Sequence, residues 1–219
     1  DKKVKIVINS GGQDHRWLGN GFWKSQGAQI IASEAAVEDQ KERGGLMMTM
    51  LDNLLGKALE GTEPVYADTT FEEKHSFMLG GLTFEITFAG QAHTPGDVFI
   101  WVPEKKTVFT GDIVYTERIL GVGSQSNSGT WIEVFNEMAK LNATHVVPGH
   151  GKATDMAKAR ADTLDYLVHL RKVMTAYMED GGEIIKSVDV DQSKFKYLEE
   201  FSGLAKRNAQ QVFSELEFE

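Results

Sequence analysis

The amino-acid sequence predicts an α/β or α+β sandwich, read as one domain over residues 1–219. Three observations carry this. Short runs such as "VKIVIN", "AQIIAS" and "DVFIWV" are nearly all apolar and β-branched, as buried strands are. "LTFEITF" alternates strictly, as a strand with one covered face does. Longer stretches with apolar residues at helical spacing interleave with these strands, which are too short and too many for a helical bundle.

In chain order, the first strand leads into a glycine-containing loop and a short helical stretch around Trp17 to Gln26. "AQIIAS" follows, and Ser33 is placed to cap the long helix after it. That helix is expected to turn Met47, Leu51, Leu54 and Leu55 to one face. In "LTFEITF", Leu82, Phe84, Ile86 and Phe88 share a face. "DVFIWV" and "TVFT" are strands joined by the hairpin-like "PEKK". "TWIEVFNEMAKLN" reads as a helix opened by a capping box from Thr130 to Glu133. "THVVPGHG" is a strand ending in a tight turn. A helical tail is expected over about 153–219: Leu167, Leu170, Met174 and Tyr177 are at helical spacing, and Gly181 and Gly182 end that helix. A final helix carries Tyr197, Phe201 and Leu204, expected in the core.

Composition bounds the function. Hydrophobic residues make up 41% and charged residues 25% of the chain, as in ordinary globular proteins. A net charge of −9 argues against nucleic acid or an anionic membrane surface as partner. No apolar run reaches the length of a membrane span. There is no cysteine, so any metal must be held by His and carboxylates. No signal peptide is visible, and the compartment, periplasmic or cytoplasmic, is left open.

Four places repeat one pattern: an apolar strand, a small residue, then His or Asp. They are "VINSGGQDH" with Asp14 and His15, "ITFAGQAHTPGD" with His93, "TVFTGD" with Asp112 and "HVVPGHG" with His150. Strand ends on one edge of a sheet converge, and rigid strands position side chains well. Three imidazoles and two carboxylates suit a divalent transition metal, zinc first.

On these residues the chain resembles the metallo-β-lactamase-fold hydrolases, the superfamily that includes glyoxalase II-like thioesterases. The C-terminal stretch resembles a branch associated with sulfur oxidation or quinoproteins. The resemblance implies a four-layer αββα sandwich. It also implies a metal site on Asp14, His15, His93, Asp112 and His150, with Asp14 and Asp112 holding the metal and orienting water. Two departures matter. The family's H-x-H-x-D-H signature, aligned on Asp14-His15, puts Ser10 and Gly12 where two histidine ligands belong, so one zinc per chain is expected. The strands that normally precede the motif are also missing. Either a preceding segment or another chain, such as a second copy, is expected to complete the sheet, because an open apolar edge invites association.

His75 and His169 read as surface residues, His169 pairing with Asp165 one turn earlier. His145 reads as a packed or exposed strand residue. Trp17 reads as core, Arg16 as a candidate for a substrate mouth, and Tyr115 and Glu117 as candidates by position. The function implied by resemblance is hydrolysis of a small ester, thioester or lactam through a single-metal site. The alternative is a non-catalytic binding or accessory protein on the same fold.

Overall fold

The structure is a computed structural model and describes residues 2–219. Two sheets stack with helices outside them. In the first, β1 (Ile6–Ile8), β2 (Gln29–Ser33) and β3 (Thr69–Phe71) run parallel in the order β1-β2-β3. The second has the order β4-β5-β6-β7-β8: β4 (Lys74–Leu79), β5 (Leu82–Phe88), β6 (Val98–Val102) and β7 (Thr107–Phe109) are antiparallel, and β8 (His145–Val147) joins β7 in parallel.

Alternation along the strands builds the layers. Phe84, Ile86 and Phe88 of β5, with Val98 and Ile100 of β6, pack against Ile6, Ile8, Ile31 and Phe71 of the first sheet. Phe99 and Val108 point the opposite way, onto Trp131, Val134, Phe135 and Met138 of α4 (Ser128–Ala139). On the first sheet's outer side lie α1 (Asp14–Trp17), α2 (Asn20–Ser25) and α3 (Glu34–Leu55), with Ala36 and Val37 packed on Ala32. The mixed α/β architecture of the sequence reading is the observed one.

Three local expectations are corrected. Ser33 caps α3, accepting from the Ala36 N–H at 3.1 Å, but the predicted apolar face of α3 is mostly bare. Met47 is buried, whereas Leu54 is 78% exposed and Leu55 46%, because the second half of the helix runs past the edge of the three-stranded sheet. The cap of α4 is Asn127, whose side chain accepts from the Thr130 N–H at 2.9 Å; the helix starts a turn before the Thr130–Glu133 box. His169 donates to or accepts from no Asp165 carboxylate; its Nε2 lies 2.7 Å from the Asp191 carbonyl, so it donates there.

The tail wraps back over the sheet ends. After α5 (Met156–Ala159) comes a π-helical turn, Arg160–Leu164, and then α6 (Asp165–Glu179). The wide turn aims Asp162 and Thr163 at the segment following Asp112. Asp162 accepts from the Glu117 N–H at 2.8 Å, and Thr163 receives the Tyr115 N–H at 3.0 Å. In α7 (Phe201–Glu217), buried Asn208 accepts from the Val122 N–H at 2.9 Å and donates to the Leu120 carbonyl at 2.8 Å. These bonds fix the last helix against the loop that walls the site. Tyr197 lies before α7 and is 58% exposed, outside the predicted core stripe.

Candidate functional site

The site begins in the turn between β1 and α1. Asn9 and Asn20 exchange side-chain amide bonds of 2.9 Å each, and Asn9 also donates to the Arg16 carbonyl at 3.0 Å. This buried clasp sets which residues of the turn face inward. A Cβ on Gly11 would lie 2.3 Å from Asp97 Oδ1 and 2.4 Å from an Arg16 nitrogen. A Cβ on Gly12 would point away, 1.9 Å from an Asp39 oxygen. Both positions exclude a side chain without rearrangement.

Gly11, Gln13 and Arg16 therefore face inward, while His15, with its side chain 55% exposed, stands at the rim. Gly11, Gln13 and Arg16, rather than Ser10, Gly12 and Asp14, thus face the ion cluster. Asp14 turns to the far flank, beside Leu18, Leu51 and Leu55, where its Oδ1 accepts from the His15 N–H at 2.7 Å.

At the centre is the Arg16 guanidinium. One nitrogen contacts Asp97 Oδ1 at 3.0 Å and the Ser10 carbonyl at 3.0 Å; the other is 2.6 Å from Asp112 Oδ2. Arg16 and both carboxylates are almost completely buried. Asp97 is held by its own turn, accepting from the Thr94 N–H at 2.7 Å and the Thr94 hydroxyl at 2.6 Å. Burial opposes the guanidinium's charge, but Asp97 and Asp112 outweigh it and raise the Arg16 pKa. Burial likewise pushes against the Asp112 charge, yet Arg16 and His93 bring its carboxyl below the ordinary value.

The histidines surround this ion cluster. His93 Nδ1 donates to the Gly121 carbonyl at 3.0 Å, and its Nε2 faces the Gln13 carboxamide at 3.0 Å. His93 Nε2 is 3.9 Å from Asp112 Oδ2, and His150 Nε2 is 3.6 Å from Asp112 Oδ1. His150 stacks on Tyr115 with ring centres 4.6 Å apart. Desolvation lowers the pKa of both His93 and His150 below the ordinary value. His15, His93 and His150 open on one cleft of 370 Å³, lined also by Gln13, Tyr115, Arg118, Leu204 and Arg207.

Of the residues singled out from sequence, His15, His93 and His150 thus share the cleft, Asp112 lies just beneath it and Asp14 lies outside it. His145 is exposed on β8, and Trp17 is fully buried. Arg16 is buried at the centre of the ion cluster, not at a mouth. Glu117 pairs with Lys152 at 3.4 Å. Gln13, Asp97, Arg118 and Arg207 were missed. Asp97 had a signal, since it closes the quoted "AHTPGD"; the others had none.

The residues present do not fit the expected zinc set. Among the described residues, no three His, Asp or Glu side chains converge as metal ligands. The guanidinium is a fixed cation bonded to Asp112, where a divalent ion would face its repulsion. Gln13 meets the Nε2 of His93, and Asp14 is turned away.

Comparisons with known proteins agree with the architecture. Residues 1–150 match the family model of the metallo-beta-lactamase superfamily, and the chain belongs to that superfamily. It is 27% identical over 170 residues to a metallo-beta-lactamase type 2 of Elizabethkingia meningoseptica, covering 76% of this chain and 60% of that protein. A beta-lactamase-like protein 2 homolog of Caenorhabditis elegans is 28% identical over 114 residues, covering 52% of this chain and 35% of that protein. The chain thus spans less than two thirds of these curated relatives. Among solved structures, the stereoselective inverting sec-alkylsulfatase Pisa1 from Pseudomonas sp. superposes with a TM-score of 0.76 at 14% identity, over 98% of this chain and 41% of that one. A metallo-beta-lactamase from Pontibacter korlensis gives 0.58 at 23% identity, over 75% of this chain and 69% of that one. The fold is one that hydrolases use, and metallo-beta-lactamases are typically zinc-dependent.

Proposed function

We propose that this chain keeps the substrate cleft of a hydrolase fold and uses it to bind a small polar molecule, with Arg16 supplying the central positive charge. The observation that carries this reading is the Arg16 guanidinium between Asp97 and Asp112. It occupies, from within the chain, the place between two carboxylates where a cation would otherwise sit, and offsets part of their charge. The His150 imidazole, the Tyr115 hydroxyl and the Gln13 amide nitrogen supply hydrogen bonds to a ligand.

A second reading is a zinc-dependent hydrolase of a small ester, thioester or lactam. The 3.6 Å approach of His150 to Asp112, with His15 in the same cleft, favours it. It requires Arg16 to leave Asp112. Elemental mass spectrometry of chain purified without chelator, then dialysed with zinc, separates the two. The binding reading expects well under one zinc per chain and no zinc-dependent cleavage of a β-lactam or thioester. About one zinc per chain, with cleavage abolished by His150→Ala, overturns it in favour of the hydrolase.

A further inference from the structure

The chain carries a net charge of −9, with 32 acidic residues against 23 basic ones. Yet among the described residues no carboxylate lines the cleft, whereas two arginines do. Asp112 lies beneath the histidines, and Arg16 already offsets its charge. The charged side chains that line the cleft are thus both cationic, on a chain whose net charge is negative.

Neither arginine is paired with a carboxylate among the described residues, and the backbone that carries each is anchored. Arg118 sits on backbone anchored on both sides: the Glu117 N–H donates to Asp162 at 2.8 Å, and the Ile119 N–H to the Glu199 carbonyl at 2.9 Å. Its guanidinium carbon lies 5.9 Å from the centre of the Tyr115 ring. Its Nε is buried without a hydrogen-bond partner among the described residues. The neighbouring Glu117 is no substitute, being drawn to Lys152. Arg207 faces the same cleft from α7, one turn after Leu204 and beside the clasp formed by Asn208. Neither arginine forms an ion pair among the described residues.

We propose that Arg118 and Arg207 form the anion-binding end of this cleft, and that its ligand is a small organic anion. The charged group, a carboxylate or sulfate, is met by the two guanidiniums. Its apolar part lies along Leu204 and Val122 and extends toward the histidines. The inference rests on the reading of the cleft as a ligand site and names the ligand's chemical class.

The test is calorimetric titration of the purified chain with octanoate, octyl sulfate and the uncharged octanamide. Octanoate or octyl sulfate is expected to bind at least about tenfold more tightly than octanamide, and to weaken as salt is raised. Arg118→Gln and Arg207→Gln should each weaken the anion about tenfold and leave octanamide unchanged. Arg118→Lys should restore part of the loss, and Lys57→Gln, remote from the cleft, should change nothing. Equal affinity for octanoate and octanamide overturns the proposal, as do arginine variants that bind like the parent, or no saturable binding of either anion. Octanamide binding that is blocked by a bulky His150→Trp would keep the cleft reading while the anion inference fell. One zinc per chain with the arginine dependence intact would do the reverse.

Discussion

Around Trp131 the interior is mainly hydrocarbon, with the His93 ring at one edge, 5.6 Å away between ring centres. The indole is fully buried among Phe135, Val134, Met138, Ile113 and the aromatic ring of Tyr115, and its one polar atom donates to the Ile113 carbonyl at 2.9 Å. Around Arg16, some residues away on the same sheet ends, the interior is ionic: one guanidinium, two carboxylates, and imidazoles beside them. The first region is held by burial of surface, which is insensitive to pH and salt. The second is held by charges that offset each other, and it fails when one is removed or titrated. The N-terminal half rests on a few apolar residues plus this ion cluster, while the C-terminal half has the large continuous core.

The largest expected effect is in the hydrocarbon region. Trp131→Ala should cost about 4 kcal/mol, the range for large aromatic deletions in a core, at pH 8, where His93 beside it is uncharged in both states. Urea denaturation at pH 8 checks this. A loss below about 1 kcal/mol would mean that the helix α4 layer repacks freely.

Arg16→Met comes next, at about 3 kcal/mol near neutral pH, because it leaves Asp97 and Asp112 facing each other in a buried site. This cost should shrink as pH is lowered and the carboxylates take up protons. A pH-independent cost equal to that of Trp131→Ala would erase the contrast between the two regions. The same variant is informative for zinc: if removal of the guanidinium lets the chain take up about one zinc, Arg16 is what excludes the ion.

The histidines supply a smaller effect with a defined sign. Both His93 and His150 have folded pKa values below the ordinary 6.5, chiefly through burial. The unfolded chain therefore binds more protons than the native one as pH falls through that value. Their contribution is present in full above pH 6.5 and is lost progressively as pH falls toward the lowered native values. The urea midpoint of the parent should drop between pH 7.5 and 5.5, and His93→Gln should drop less steeply. An equal slope in both would place the titration elsewhere.

The fold was legible because it depends on periodicity. "LTFEITF" and "DVFIWV" have the alternation and the continuous apolarity that two covered faces require, and both became strands at their predicted places. The site was legible only in part. "FTGD" and "PGHG" placed Asp112 and His150 because a residue directly after a strand inherits the strand's direction. "SGGQDH" did not fix which of its residues face inward. Whether Gln13 or Asp14 does so depends on φ and ψ through two consecutive glycines, and on an Asn9–Asn20 clasp whose partners are 11 residues apart. Arg118 and Arg207 were invisible for a different reason: the tail brings them to the cleft through side-chain-to-backbone bonds from Asp162 and Asn208, which no local pattern encodes.

The smallest expected effect concerns α3, where pattern and structure part. Met47, Leu51, Leu54 and Leu55 have core-like spacing, but the sheet beneath has only three strands and ends before the helix does. Leu54 is 78% exposed, so Leu54→Ser removes little apolar contact and should change stability by no more than about 0.5 kcal/mol. The matching change at Met47, which is 8% exposed, should cost roughly 2 kcal/mol or more by the usual rule for buried large-to-small replacement. If the two cost the same, the bare end of α3 is covered in solution, and the N-terminal half has an apolar core that extends beyond this chain's own sheet. If they differ as expected, the half that holds the ion cluster is the thinly packed one, and Arg16 matters there as much for cohesion as for the cleft.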